Sequence, residues 1–289
     1  MRETPILSLC RLIPMAIEVT FTDDPVRVLN EAKAFLASQP ILNNLILTLL
    51  NERIARREPG RYWVATNGQW TIGLVFQSPL DREATLTPMD LDVVSSMVDV
   101  IAEMGVRLPG VNGEADTAAR FAGQWAERTK SAAVPWQGQR IYEVIALQGD
   151  PVASGHLRKA KPQDRDLLIR WIGSFQTETR EHGADPQVLV DAWLPSGQLW
   201  LWDDGEPTSM AVNVEPTEGV VRLKNVYTPP EKRNRGCAGA CVHALSKRIL
   251  SRGHRCMLYT DLGNPTSNTI YRRMGYTAVA EALRYRFQS

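Results

Sequence analysis

Apolar residues recur at helical spacing near the start of the chain. Between residues 24 and 57 this spacing predicts two helices, with Pro25 suited to a first helical turn and Pro40 dividing the two. The period then changes to that of strands, and Asn67-Gly68 between two β-rich runs predicts a hairpin. The first half continues with a short strand ending at Pro88, a helix from about 90 to 104, a short strand around 106–111, a helix around 115–127 and a strand at 141–147.

The same order of elements recurs from about residue 154. A strand and two helices, the second beginning at Asp185, precede two strands that flank Asp204-Gly205. A long strand, a helix, a strand, a helix from about 265 to 274 and a final strand follow. The shared order indicates a diverged internal duplication, with two unrelated α/β domains as the alternative. We therefore expect two packed α/β (α+β) domains, residues 16–150 and 151–289.

The first fifteen residues do not fit this pattern. They lack the small-residue cleavage site of a signal peptide, so we interpret residues 1–15 as a disordered tail or an overlong start. The most apolar run, residues 41–50, contains two asparagines and is too short to span a bilayer. The sequence therefore predicts a soluble, cytoplasmic protein without a membrane partner.

Composition and charge narrow the classes of partner. The 289 residues are 44% hydrophobic, and 33 Lys and Arg nearly balance 32 Asp and Glu, which is a globular composition. The resulting net charge of +1 gives no electrostatic case for nucleic acid as the main partner. The four cysteines form no C-x-x-C pair and the four histidines are scattered, so we expect reduced thiols and no metal site.

The segment from Arg233 to Ala238 predicts a local anion site. It follows a probable strand and opens a helix, where backbone N–H groups without a helical partner attract phosphate. Gly236 permits close approach of the backbone, and Arg233 and Arg235 add positive charge at the rim. The P-loop pattern and the dinucleotide fingerprint are both missing, so another pyrophosphate is needed.

Two motifs resemble those of one family. Arg233-x-x-Gly236-x-Ala238 after a strand resembles the Q/R-x-x-G-x-G/A signature of the GNAT superfamily of N-acetyltransferases. Downstream, Asn264-Pro265-x-Ser267 at a helix start, followed by Tyr271 and Gly275-Tyr276, resembles the second landmark of that family. The resemblance covers roughly residues 154–289. It implies a mixed, mostly antiparallel sheet flanked by helices, with two strands splayed apart to admit the pantetheine arm of acetyl-CoA.

The resemblance also implies a role for each matching residue. Tyr271 falls where many members place a phenol near the departing thiolate, which makes it the candidate general acid. A core aromatic with its hydroxyl at the surface is the alternative for this residue. The implied cofactor-binding residues are Val226, Tyr227 and Thr228 for pantetheine, Arg233, Asn234, Arg235, Gly236, Cys237 and Ala238 for the phosphates, and Asn264 and Ser267 for the arm.

The acceptor side is less defined. Four carboxylates near strand ends are candidate bases, although each also fits a plain surface position and an ordered water chain would serve equally: Glu215, Asp203, Asp204 and Asp261. The segment 177–191 is acidic, and its carboxylates are Glu178, Glu181, Asp185 and Asp191. If this segment covers the cleft, its negative charge favours a cationic amine as the acceptor. The alternative is a solvated loop.

The resemblance therefore implies direct transfer of an acetyl group from acetyl-CoA to an amine of a small molecule or protein, and we expect a monomer or homodimer. The alternative is a non-catalytic acyl-CoA-binding or regulatory module of the same fold. The first half lacks an R-x-x-G-x-A segment and places Asp90 and Asp92 where phosphate would approach. We expect it to be a degenerate copy that covers a sheet edge or helps form the acceptor cleft.

Overall fold

Strands from both halves of the chain pair into one continuous sheet in the computed structural model, which describes residues 16–150, 153–180 and 183–288. The strands are β1 (Ile17–Thr22), β2 (Arg61–Asn67), β3 (Trp70–Gln77), β4 (Ala84–Leu86), β5 (Gly110–Glu114), β6 (Ala132–Val144), β7 (His156–Lys159), β8 (Leu199–Asp203), β9 (Pro207–Asn213), β10 (Val220–Tyr227), β11 (Arg255–Asp261) and β12 (Thr277–Gln288). The helices are α1 (Pro25–Ser38), α2 (Asn44–Arg56), α3 (Leu91–Glu103), α4 (Ala115–Thr129), α5 (Arg165–Thr179), α6 (Pro186–Trp193), α7 (Cys237–Leu250) and α8 (Pro265–Arg273).

The two halves have the same order of elements. Apart from two short 3₁₀ turns in the second half, each runs strand, two helices, three strands, helix, strand, helix and strand. The predicted α/β class, with a mixed sheet flanked by helices, is confirmed. Three details differ from the sequence expectation: β1 was not predicted, β5 begins later, and β6 begins at Ala132 rather than near residue 141. The expected tail at residues 1–15 lies outside the described residues.

The halves exchange their last strands. The sheet order is β1-β2-β3-β4-β5-β12-β6-β11-β10-β9-β8-β7, so β5 of the first half pairs with β12 of the second. In the same way β11 of the second half pairs with β6 of the first, for example through Leu258 opposite Tyr142. The proposed division into residues 16–150 and 151–289 therefore describes a repeat of elements, whose strands belong to one shared sheet.

Helices pack on the sheet through apolar faces, which is the main source of stability for such layers. On α7 the buried side chains include Cys241 and Leu245, and on α4 they include Phe121. A smaller apolar cluster joins the halves, because Ile41, between α1 and α2, packs with Met257 of β11 and other central strand residues. This contact fixes the first two helices against the strands that carry the candidate site.

None of the helices in residues 16–150, 153–180 and 183–288 combines the length and hydropathy required to cross a bilayer.

Candidate functional site

Strands β10 and β11 are parallel and separate towards their carboxyl ends. Their register runs from Val220–Arg255 to Leu223–Leu258 and then stops, although β10 continues to Tyr227 and β11 to Asp261. A bulge in β10 contributes to the separation, since its pairing with β9 shifts between Lys224 and Tyr227 and Asn225 has a positive φ of 48°. The result is an open gap in the middle of the sheet.

A cavity of about 480 Å³ occupies one side of this gap. It is lined by the candidate general acid, Tyr271, and by every candidate cofactor-binding residue: Val226, Tyr227, Thr228, Arg233, Asn234, Arg235, Gly236, Cys237, Ala238, Asn264 and Ser267. The structure therefore brings together two motifs that are separated by about thirty positions in the chain. Phe175, Glu178 and Lys232 also line the cavity and were not among the predicted binding residues.

The loop before α7 presents backbone donors to the cavity. The first hydrogen bond of this helix runs from the Ala240 N–H to the Gly236 carbonyl, so the preceding helical N–H groups have no helical acceptor. Asn234 and Gly236 have positive φ angles of 62° and 77°, which form the turn into the helix. A Cβ built on Gly236 meets no heavy atom closer than the Ala153 Cβ at 3.7 Å, so glycine is required here by its backbone conformation rather than by crowding.

The basic side chains of this loop each face a carboxylate. The Arg233 guanidinium lies 2.6 Å from Glu178 of α5 and also donates to the Thr228 carbonyl. The Lys232 ammonium lies 2.9 Å from Glu206, and the Arg235 guanidinium lies 3.7 Å from Asp204. Because these pairs offset the positive charge that the sequence predicts at the rim, the attraction for phosphate falls mainly to the backbone N–H groups.

Of the three candidate backbone partners for the arm, Val226 is the most available. It lies within the bulge and has no register partner on β11. The other two candidates are already engaged, since the Tyr227 carbonyl accepts from the Ser209 hydroxyl and the Thr228 carbonyl from Arg233. A carbonyl has two lone pairs, so these bonds leave one acceptor direction on each.

The start of α8 lies across the gap from the loop. The Asn264 side chain caps this helix by accepting from the Ser267 N–H at 3.0 Å, which accounts for asparagine at this position. One turn further, Asn268 donates to the Asp261 carbonyl and accepts from the Tyr142 hydroxyl. These bonds fix the end of β11, the start of α8 and β6 in one arrangement.

Tyr271 projects from α8 into the gap. Its side chain is buried against Tyr142 and Tyr276, with ring centroids 6.2 and 5.7 Å away, and it lines the cavity on either side of the gap. Burial raises the pKa of the Tyr271 hydroxyl well above its usual range, and the neighbouring Cys241 thiol raises it further. The phenol is therefore neutral at physiological pH and can act as a proton donor.

A second cavity, of about 810 Å³, lies next to the first and shares Tyr271, Phe175, Glu178 and Val226 with it. Its other walls include Tyr259 and Asp261 of β11 and, from the exchanged strands, Trp136 and Gln137 of β6 and Arg286 of β12. The first half of the chain thus contributes side chains to a cavity in the second half. Sequence reasoning missed these residues because strand periodicity carries no information about which half a strand joins.

The four candidate bases differ in whether they line the two joined cavities. Asp261 lines the second cavity, where its carboxylate accepts from the Gly263 N–H and from Gln137. Asp203 pairs with Arg158, Asp204 accepts from Ser154, and Glu215 accepts from Gln198 in a separate cavity. Of these four, Asp261 alone lines either of the two joined cavities.

The acidic segment does not form a uniformly negative roof. Glu178 faces the cavities but is paired with Arg233, and Asp191 is paired with Arg165 at 2.7 Å. Asp185 caps α6 by accepting from the Gln187 N–H, as its alternative interpretation supposed, and Glu181 lies outside the described residues. The expected field that favours a cationic amine is therefore weaker than the sequence indicates.

The matching strand pair of the first half is closed. Strands β4 and β5 are also parallel, paired at Ala84–Val111 and Thr85–Asn112. A Cβ built on Gly113 would come within 2.9 Å of the Leu86 side chain, so the two strands stay in contact beyond their register. Together with Asp90 and Asp92 at the start of α3, this packing supports the expectation that the first half lacks a phosphate site.

Comparisons with known proteins agree with this geometry. Residues 204–285 match the model of the family described as FR47-like protein. The fold is similar to that of a GNAT-family acetyltransferase from Colwellia psychrerythraea, with a TM-score of 0.58 and 10% identity over 94% of this chain and 100% of that one. It is also similar to a GCN5-related N-acetyltransferase from Sphaerobacter thermophilus, with a TM-score of 0.59 and 13% identity over 93% and 95% of the two chains.

A Drosophila protein of known structure is similar as well, with a TM-score of 0.63 and 13% identity over 93% of this chain and 98% of that one. No curated protein matches the sequence. At these identities the structures establish the fold, and the family model adds the segment that carries the loop before α7, the gap and α8. The comparisons therefore show that the chain has the fold of these acetyltransferases, and that residues 204–285 resemble the FR47-like family.

Proposed function

We propose that the protein transfers an acetyl group from acetyl-CoA directly to an amine, in the joined cavities of its second half. The observation that carries this proposal is the gap between β10 and β11, which has the anion-binding start of α7 at one mouth and a neutral phenol at its centre. A site with these features can bind an extended acyl carrier by its phosphates and its amide-bearing arm.

The residues present fit such a donor. Backbone N–H groups of residues 234–239 would hold the pyrophosphate, and the backbone of Val226, which has no register partner on β11, would hydrogen-bond the arm. The rings of Phe175 on α5 and Tyr227 on β10 would cover the arm. Acetyl-CoA supplies an activated thioester, whose sulfur leaves as a thiolate.

Tyr271 would supply the proton that this thiolate needs. Its hydroxyl is neutral because burial raises the pKa, and it lies where the donor cavity and the second cavity meet. The acceptor amine would enter from the second cavity and lose a proton as it forms the amide bond. Of the four candidate bases, Asp261 alone lines this route, and it is the candidate to accept that proton, directly or through water.

Calorimetric titration with acetyl-CoA tests the donor site. We expect one site per chain in the wild type and loss of binding in Gly236→Glu, because this change puts a negative charge at the start of α7. Gly253→Glu is the matched control, since Gly253 also has a positive φ, 79°, with open space around its Cβ position. Equal affinity in both variants would refute the assigned site, and no binding by the wild type would refute the proposed function.

A further inference from the structure

The cavity opposite the donor side carries more positive than negative charge. Arg180 and Arg286 line it, together with Lys224, whose ammonium lies 4.1 Å from the centre of the Trp193 ring, against Glu178 and Asp261. Glu178 is paired with Arg233 of the donor loop at 2.6 Å, so its charge is offset from outside this cavity. The lining therefore favours an anionic group on the molecule that enters from this side.

Arg286 is the cation best placed to bind such a group. Its guanidinium carbon lies 4.2 Å from the centre of the Trp136 ring, and no carboxylate of the described residues lies within ion-pair distance of it. The neighbouring Arg284 also contacts this ring, at 4.1 Å, but donates to Glu83 and Gln137. Trp136 itself donates to Glu83 at 2.7 Å, which fixes the indole on which Arg286 rests. Stacking on a fixed ring orients the guanidinium while leaving its donors available.

A buried arginine interacts with one residue of the cavity wall. Arg222 of β10 is 7% exposed; its Nη2 donates to the Thr48 hydroxyl, whereas its Nη1 has no hydrogen-bond partner. It interacts electrostatically with Tyr259, a residue of the cavity wall. Burial lowers the pKa of the Arg222 guanidinium, and the Tyr259 and Glu52 side chains oppose this shift. Arg222 lies outside the residues that line the cavity and reaches it only through its interaction with Tyr259.

We propose that the acceptor is an amine that also bears a carboxylate, as a free amino acid does, and that Arg286 binds this carboxylate. The inference rests on the proposed acetyl transfer and specifies its substrate class. A guanidinium donates two parallel N–H groups to a carboxylate, which holds the acceptor in one orientation. The amine then points away from Arg286, towards Tyr271 and Asp261, which line the same cavity.

Paired acceptors test the proposal directly. Initial rates of CoA release from acetyl-CoA are measured with glycine, β-alanine and the other standard primary-amine amino acids, each beside its carboxamide. The carboxamide has the lower amine pKa and hence more neutral amine, so a preference for the carboxylate form must come from the protein. We expect the best carboxylate form to exceed its carboxamide by about ten- to a hundredfold in kcat/KM, the range of a charge-assisted hydrogen bond.

Two variants test whether Arg286 causes the preference for the carboxylate form over its carboxamide. Arg286→Gln should abolish it through a higher KM for the carboxylate form with little change in kcat, and Arg286→Lys should restore part of it. Arg107→Gln is the control, because Arg107 is an exposed arginine in the loop between α3 and β5, outside both cavities. A wild-type preference that Arg286→Gln leaves intact would overturn the assignment.

The outcomes separate this inference from the proposed function. If acetyl-CoA binds but the carboxamide forms are preferred, or no carboxylate form is turned over, the acceptor class is wrong while the donor site stands. If acetyl-CoA does not bind, the proposed function fails and the inference fails with it.

Discussion

At the scale of single residues, Tyr271 has the environment that proton donation to a thiolate requires. Burial disfavours its charged form, and its ring packs between Tyr142 and Tyr276, so its hydroxyl is neutral and its ring is held in place. The raised pKa also means that ionisation of Tyr271 does not limit the rate at physiological pH. The rise of activity with pH should follow deprotonation of the acceptor amine instead.

Replacing Tyr271 should separate chemistry from binding. We expect Tyr271→Phe to lower kcat by about a hundredfold or more, the usual contribution of a positioned acid, and to leave the calorimetric affinity for acetyl-CoA almost unchanged. Tyr62→Phe is the matched control, because Tyr62 is also buried with a raised pKa and lies in the first half, away from both cavities. Equal kcat in Tyr271→Phe and the wild type would remove Tyr271 as the acid.

At the scale of elements, the starts of α7 and α8 are the two structures that shape the donor cavity. The start of α7 depends on the left-handed conformation of Gly236, and that of α8 on the Asn264 cap. Each is a local feature of three or four residues, which explains why both could be identified from the sequence.

Removal of the α8 cap should reduce both stability and acetyl-CoA binding, and removal of the α6 cap is the control. Asn264→Ala should lower the free energy of unfolding by about 1 kcal/mol and weaken acetyl-CoA binding, because the cap fixes one wall of the cavity. Asp185→Ala removes the cap of α6, which lies outside the donor cavity, and should cost similar stability without affecting binding. Urea denaturation and calorimetry measure the two effects; equal binding in all three proteins would contradict a role for Asn264.

Most elements could be predicted from the sequence because their signals are local. Asn67-Gly68 marks the β2–β3 hairpin, and Pro25 and Pro186 lie in the first turns of α1 and α6. The second cavity could not be predicted, because Trp136 and Arg286 reach it only through the pairing of β6 with β11 and β12. The ion pairs of the donor loop were missed for a similar reason, since Arg233 meets a carboxylate 55 positions away, Glu178.

At the scale of the whole molecule, the exchange of β6 and β12 makes the two halves interdependent. The first half has the same order of elements and the same parallel strand pair as the second, yet its pair stays closed at Leu86 and Gly113. To the region of the gap it contributes β6, which pairs with β11 and β12, and two side chains of the second cavity, Trp136 and Gln137. We therefore propose that the second half alone binds the acyl donor, whereas both halves contribute residues that recognise the acceptor.

Amide hydrogen exchange with and without acetyl-CoA tests this asymmetric account most directly. It reports on the backbone groups that the account assigns to the donor, in both halves of one chain. We predict slower exchange at residues 224–239 and at the start of α8, and no change at the matching positions 84–98 of the first half. Protection at 84–98, or acetyl-CoA binding without protection at 224–239, would contradict the assignment of the donor to the gap between β10 and β11.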